Sequence, residues 1–553
     1  MVFKNFRVTK TRVFIIGLLF ILSLITLWIR VIPLLNLNTD ILNIVASDDP
    51  MFSLRQIEQM MAHYPSYAWF DAMTLYPFGK DIPWGPLFTL IATTFVMIFG
   101  ASTRSEIISV ALWVPPLMAA VTVPVMYLLG KKLADWKTGL CAAILITAVG
   151  GQYFYRSLAG YLDHHIAEVL FSTLFCFTYI FALVYLRDHP VDFNVKSTWK
   201  TPIVLSTVAG VAYILGYLTM STMILFAFIT ALFTLIIFIL DFYHGRPSQY
   251  IVLLNTLVFG IAAVFSLLVS FISGGIDAGL GFYLYTLIHP IAYLLLVIGT
   301  WLLFWLGHYL EGKNRVMYPL SIIGIGFIAI LSVFLFLPAL YGSFVNGIEV
   351  FFGFNPFAAT VQEARVWSIE EAWEVFNFGL ILMIGGVLVL IYRDWKQYHG
   401  EHVYVLVWTL FIVIAAFRQV RYEYYLAVNI ALLGAICIGF FINLAEPEIR
   451  LLSSLFKSQG QSKLFKDEKR NLKKSLKPEK KPSSDKKPNY IKIMSFGLIC
   501  ACAVLYIGGS VQYELRVAGS GALRMNPDWR ESLEWMEKNT PDPGVDYYRI
   551  YQK

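Results

Sequence analysis

The sequence predicts an all-α protein that crosses a membrane many times, in about thirteen helices. Three observations carry this. The chain of 553 residues is 58% hydrophobic and 14% charged, with a mean hydropathy of +0.65. Its apolar residues gather into repeated stretches of roughly 18–25 residues, the length a helix needs to cross a bilayer. Those stretches are Phe-, Ile- and Leu-rich without polar alternation, which argues against a β-barrel. Helix is the form in which each span satisfies its own backbone hydrogen bonds in lipid.

The expected spans are 13–36, 106–130, 137–155, 166–186, 201–218, 220–240, 250–273, 282–308, 317–340, 375–392, 402–418, 422–443 and 490–510. The first follows Lys4, Arg7, Lys10 and Arg12. It is too long for a signal-peptide core and lacks a small-residue cleavage site, so it reads as a retained anchor. Residues 86–100 are apolar but short, and are expected to form an interfacial helix within the first outer loop, 37–105. The five cysteines, Cys141, Cys176, Cys437, Cys500 and Cys502, all fall in apolar spans without metal-type spacing. They read as small core residues, with no disulfide framework.

Loop charges orient these spans. Lys131, Lys132 and Lys137, then Arg187, Lys196 and Lys200, then Arg246, then Lys313 and Arg315, then Arg393 and Lys396 fall on alternate loops. They share a side with the basic N-terminus, which makes that side cytoplasmic. The cytoplasmic loop 446–490 joins them; the stretch 450–492 carries 14 Lys/Arg against 4 Asp/Glu, leaving the rest of the chain net acidic. Its Lys, Ser and Pro richness reads as disordered chain resting on anionic headgroups. No aromatic interleaving accompanies the charge, so nucleic acid is not the expected partner. An odd span count puts the C-terminus outside, with loops 37–105, 157–165 and 341–374 and the turn at Arg421. Residues 1–510 are then a membrane domain and 511–553 the start of an external one. No internal repeat is evident, which weakens an inverted-repeat transporter reading.

The outer face holds the residues that could carry chemistry. Asp48 and Asp49 stand in Ser47-Asp48-Asp49-Pro50. Read alone, Asp49 before a proline is a helix N-cap; a paired acid at a membrane surface could also hold a metal against a lipid-linked phosphate. The second outer loop offers Asp163-His164-His165. Asp and His two apart can face one metal, and oxygen ligands with one imidazole suit Mg²⁺ or Mn²⁺. Alternatively, Asp163 caps the helix from Ile166. Thr360-Val361-Gln362-Glu363 has the form of a capping box, with Thr360 as cap and Glu363 reaching back. Arg421 is placed either to anchor at headgroups or to meet a lipid phosphate, for which its guanidinium fork is suited.

Four such motifs, in order and on one face, resemble the archaeal catalytic subunit of oligosaccharyltransferase, a GT-C glycosyltransferase that N-glycosylates asparagine. The resemblance runs over essentially the whole chain. It rests on Ser47–Pro50 and Asp163–His165 as the two acidic motifs, on Thr360–Glu363 as the external-loop Thr/Ser-x-x-Glu motif, and on the thirteen-span topology with an external C-terminus. It implies a GT-C fold in the cell membrane and a single-subunit enzyme. The donor would be a dolichyl-type lipid-linked oligosaccharide, the acceptor a polypeptide with Asn-x-Ser/Thr, and the cofactor Mn²⁺ or Mg²⁺. It implies Asp49, Asp163 and His165 as metal ligands, with Asp48 beside the metal and His164 behind it. Glu363 would accept hydrogen bonds from the asparagine amide, and Arg421 would bind the donor phosphate. The family's Trp-Trp-Asp-Tyr-Gly motif is absent from the sequence, so the resemblance implies a truncated chain with little sequon-dependent transfer by itself. Competing readings are another GT-C enzyme that uses a lipid-phosphate sugar, and a transporter or inactive paralogue. A transporter would be expected to carry more polar residues deep within its spans.

Overall fold

The computed structural model describes residues 9–37, 40–46, 48–192, 195–352, 360–395, 397–468, 488–520 and 525–551. Among them, strand structure is confined to one short antiparallel ribbon; the rest of the regular structure is helical. Helix α1 (Lys10–Leu35) starts at Thr9, whose hydroxyl accepts from the Arg12 backbone N–H. The segment expected as the first outer loop then folds as α2 (Asp49–Ala62), the ribbon β1 (Phe70–Asp71) and β2 (Lys80–Asp81), and α3 (Pro86–Ile98). Phe70 pairs with Asp81 and Asp71 with Lys80. Helix α3 has 13 residues, about 20 Å at 1.5 Å per residue, too short to cross a bilayer, as its sequence suggests.

Helices α4 (Arg104–Ala111) and α5 (Val114–Leu133) together make a span of 30 residues. Next come α6 (Trp136–Thr147), α7 (Gly151–Tyr155), α8 (His165–Asp188), α9 (Lys200–Thr219), α10 (Ile224–His244), α11 (Gln249–Ile272), α12 (Ile288–Tyr309) and α13 (Met317–Phe336). The chain continues through α14 (Pro338–Phe352), α15 (Ile369–Phe376), α16 (Phe378–Asp394), α17 (Gly400–Arg418) and α18 (Glu423–Glu468). It closes with α19 (Tyr490–Gly519) and α20 (Pro527–Asn539).

Among the described residues, 11 helices are long and apolar enough to span a membrane, or 12 if the bent pair α15–α16 is one span. The protein is a multi-pass membrane protein. Every expected span falls on helix, but two depart from the expected form. Stretch 137–155 is broken: α6 stops at Thr147, and Gly151, with φ +72°, opens α7. That backbone region suits glycine and ends a helix. Stretch 375–392 begins at a 96° bend between α15 and α16, at Asn377. The outer segment 341–374 is itself partly helical, through α14 and α15. The basic stretch read as cytoplasmic and disordered is helical as far as Glu468, where α18 continues unbroken through Pro447. Leu, Glu, Lys, Arg and Gln dominate there; they are good helix formers, extending a helix that the span has already nucleated. Residues 469–487 of that loop, and Ser47 of the first acidic motif, lie outside the described residues.

Helix α18 is the centre of the bundle, 83% of its span being buried, against α16, α6 and α19. Its lone deep amide, Asn429, donates to Thr409 at 3.0 Å. Helix α13 sits at the other extreme, and α12 and α13 present Leu302, Trp305, Ile323 and Phe327 outward, as apolar surface facing lipid does. The segment after α20 returns to the first outer loop. Tyr547 donates to Glu58 at 2.6 Å, Gln59 donates to the Tyr547 carbonyl at 3.0 Å, and Tyr551 bridges to Phe70. On α20, Trp529, Leu533, Trp535 and Met536 are exposed.

Candidate functional site

Short segments from four parts of the chain, with Tyr513 of α19, meet around an open polar cavity of about 720 Å³. Asp48 and Asp49 come from the start of α2. Arg156 and Tyr161 come from the turn before α8, Glu363 from the segment before α15, and Arg421 from the turn before α18. None of the three capping readings survives in its expected form. Asp48, not Asp49, is the N-cap of α2, and its carboxylate makes no capping hydrogen bond. Asp49 is the first helical residue, followed by Pro50. Helix α8 is headed by His164 without a side-chain cap. Glu363 lies within a single 3₁₀ turn, Gln362–Ala364, whose N-cap is Val361 without a side-chain cap bond. The capping box of this region is Ser368 with Glu371, eight residues on.

Asp163 is the hub of the acidic half. It is fully buried. Its Oδ1 accepts from the His164 backbone N–H at 2.6 Å and lies 2.5 Å from His164 Nδ1. Its Oδ2 is buried, accepts no hydrogen bond, and lies 3.2 Å from His165 Nε2. Behind the imidazoles stands Glu168, one helical turn into α8. Its Oε1 is 3.0 Å from His165 Nδ1 and 3.3 Å from His164 Nε2, and its Oε2 accepts from Tyr425 at 2.6 Å. Glu168 thus fixes His165 with Nδ1 as donor, leaving the Nε2 lone pair toward Asp163. Trp84 stacks on His164 at 5.3 Å and donates to Gln56 of α2, joining segment 37–105 to the turn before α8.

Asp163, His164 and His165 offer ligand atoms within 4.8 Å of one another. Asp49 stands outside that cluster but within its field: burial and the Asp163 carboxylate raise its pKa, and the two imidazoles oppose them. Burial would also raise Asp163, but His164 and His165 outweigh it and hold that carboxyl well below its ordinary value. His164 is disfavoured as a cation by burial, yet Asp163 and Glu168 push it up to about 9. An orphaned carboxylate oxygen facing an imidazole lone pair, with a second raised carboxyl beside them, fits a divalent cation. His164, with both nitrogens against carboxylates, backs that cluster.

The basic half was only partly legible. Arg421 was expected; Arg156 was not. Arg156 Nη2 donates to Glu363 Oε2 at 2.8 Å, and its plane lies 5.4 Å from the Tyr424 ring. Arg421 Nη2 is 3.6 Å from Glu363 Oε1, and its Nη1 donates to Tyr283 at 2.8 Å. Burial would raise the Glu363 carboxyl; Arg156, then Arg421, hold it below its ordinary value. Arg156 Nη1 and Arg421 Nε are both buried without a partner. Two guanidinium groups with unused donors at a polar cavity suit an anion with several oxygens.

Residues 18–306 match the family model of oligosaccharyl transferase STT3, N-terminal, more than half of the chain. The chain belongs to the STT3 family. Dolichyl-phosphooligosaccharide-protein glycotransferase 3 of Archaeoglobus fulgidus is 24% identical, the match covering 92% of this chain and 56% of the relative. The dolichyl-monophosphooligosaccharide–protein glycotransferase AglB of Haloferax volcanii is also 24% identical, over 96% of this chain and 56% of the relative. The chain therefore spans just over half the length of these STT3 relatives. A solved structure of the archaeal oligosaccharyltransferase AglB from Archaeoglobus fulgidus, in complex with an inhibitory peptide and a dolichol-phosphate, superposes with a TM-score of 0.78. It shares 21% identity, and the match covers 98% of this chain and 60% of that one. The GT-C-type architecture expected from the sequence is the one found.

Proposed function

We propose that this STT3 chain transfers an oligosaccharide from a dolichyl-phosphate-type carrier to the asparagine of Asn-x-Ser/Thr acceptors. The observation that carries this is the pairing of an orphaned Asp163 oxygen facing His165 with Arg156 and Arg421, whose unused buried donors stand at the cavity that Asp48 and Asp49 also line. The names of its relatives, glycotransferases that use dolichyl-phosphooligosaccharides, give the same substrate class.

The roles divide along the cavity. Asp49, Asp163 and His165 hold Mn²⁺ or Mg²⁺, with Asp48 beside them and His164 and Glu168 orienting the ligands. When bound, the cation neutralises charge developing on the departing phosphate. Arg156 and Arg421 bind the phosphate oxygens through donors that the protein leaves unused. The acceptor amide nitrogen is a poor nucleophile because its lone pair is conjugated with the carbonyl. Glu363 accepts its N–H bonds and turns that lone pair out of conjugation. The two arginines keep Glu363 ionised, hence an acceptor only. The N-terminus is cytoplasmic, and the site and C-terminus are external. Residues 1–510 form the membrane domain, 511–553 begin an external domain, and the catalytic unit is a single subunit.

The test is binding of dolichyl-phosphate to the purified chain in detergent, with Mn²⁺ or with a chelator. Binding should weaken at least about tenfold on chelation, in Asp163→Ala, and in Arg421→Ala, each removing a charge-assisted contact. Binding indifferent to all three would sink the assignment. Gain of glycan mass on an Asn-x-Thr peptide would report the transfer itself.

A further inference from the structure

At the opposite end of the bundle, the turn between α16 and α17 gathers Asp394, His399 and His402. Their ligand atoms lie within 4.8 Å of one another. Both imidazoles address one carboxylate oxygen: Asp394 Oδ1 is 2.9 Å from His399 Nδ1 and 2.8 Å from His402 Nδ1. The other oxygen, Oδ2, is buried and accepts no hydrogen bond. A buried carboxylate oxygen left unused is uncommon and calls for a partner.

The second nitrogen of His402 sharpens the point. Its Nε2 lies 3.4 Å from the Leu133 carbonyl at the end of α5, and a carbonyl can only accept. With Nε2 turned to Leu133, Nδ1 is the nitrogen presented beside Asp394, and a backbone carbonyl behind the distal N–H is the usual support of a metal-bound histidine. His402 is 94% buried in its side chain, whereas His399 is 41% exposed, so the site is walled on one side and open to water on the other. The nearby Arg393 faces away, over the Phe440 ring.

We propose that Asp394, His399 and His402 form a second metal site, for a first-row divalent cation of the Zn²⁺ type. Two imidazoles and one carboxylate favour that class over Mg²⁺, which takes oxygen ligands. The site stands independently of the transferase reading. Its place in the fold suggests its use. Helices α16 and α17 are the arms of a hairpin, 17 and 19 residues long, so the turn lies about 25 Å from their other ends. At those ends the segment holding Glu363 meets the turn holding Arg421, where Val420 N–H donates to the Arg365 carbonyl at 3.0 Å. A cation at the turn ties both arms to the end of α5 and fixes the hairpin that sets these two residues side by side.

Zn²⁺ titration of the chelator-stripped full chain in detergent tests this, with Co²⁺ as the spectroscopic probe. In the Asp163→Ala background, which disables the first cluster, one equivalent should still bind. Adding His399→Ala or His402→Gln should weaken that binding at least about tenfold by removing a ligand. His399 is partly exposed, so its replacement leaves packing intact. His399→Cys should restore binding and give the Co²⁺ adduct a thiolate charge-transfer band. If Asp163→Ala does not fold, the same loss is read on the wild-type background as one of two equivalents. Binding unchanged by the His399 and His402 substitutions overturns the proposal, as does a folded Asp163→Ala chain that binds neither ion at micromolar concentration.

Discussion

Glu168 illustrates how far single residues could be read. Asp163 and His165 were legible as candidate ligands because Asp and His two apart at a span terminus can face one metal. Glu168 was not, because a carboxylate one turn into a hydrophobic helix looks like a tolerated polar residue. The signal was its spacing of three and four from the two histidines, which puts all three on one helical face. Glu168→Gln retains shape and Tyr425 contact but loses the charge that holds His165 Nδ1–H. Mn²⁺ affinity, measured by paramagnetic resonance of the free ion, should fall about 10- to 100-fold, the range for supporting carboxylates behind a metal ligand. Unchanged affinity would mean that His165 is not a ligand. The capping motifs misled for a related reason. Thr-x-x-Glu occurs twice as a cap in this chain in its Ser/Thr form, at Thr103–Glu106 and Ser368–Glu371. The third instance has a better partner for its glutamate in Arg156.

At the scale of elements, the sequence located helices well and breaks poorly. Hydrophobic length finds a span, but a break within an apolar run leaves no polar trace. The turn at 148–150 is the informative case. By ending α6 early, it lets α7 carry Arg156, just past the end of the expected span 137–155, to the cavity. Two glycines marked the place. Gly151 has φ +72°, and a Cβ there would overlap the Glu423 carboxylate, which accepts from the Gln152 N–H at 2.8 Å. Gly151→Ala therefore meets both backbone strain, worth about 1–3 kcal/mol, and a collision with the group that fixes the turn. A lower melting temperature in detergent, together with weaker dolichyl-phosphate binding, is the expected result. Weaker melting with binding intact would show that the turn does not position Arg156.

For the molecule as a whole, two faces are separated by charge and by helix length. Helix α18 begins at the Arg421 turn and runs 46 residues, about 69 Å. A bilayer core takes about 30 Å of that, so the basic end at Glu468 stands well clear of the far side. Helix α19 then returns, bringing Tyr513 to the wall of the cavity with Asp48 and Asp49. The site and the basic stretch must therefore lie on opposite sides, whatever the exact span count. The Lys/Arg distribution predicts that the basic side is cytoplasmic. Two positions report it without touching the site. Phe78, at the tip of the first outer loop, is 86% exposed, and Ser453, on the basic extension of α18, is exposed. In a background with the five native cysteines replaced, Phe78→Cys should react with a membrane-impermeant maleimide in intact cells. Ser453→Cys should react only after the membrane is opened. The reverse pattern would invert the orientation and place the proposed phosphate and metal residues on the cytoplasmic face, where an external acceptor could not reach them.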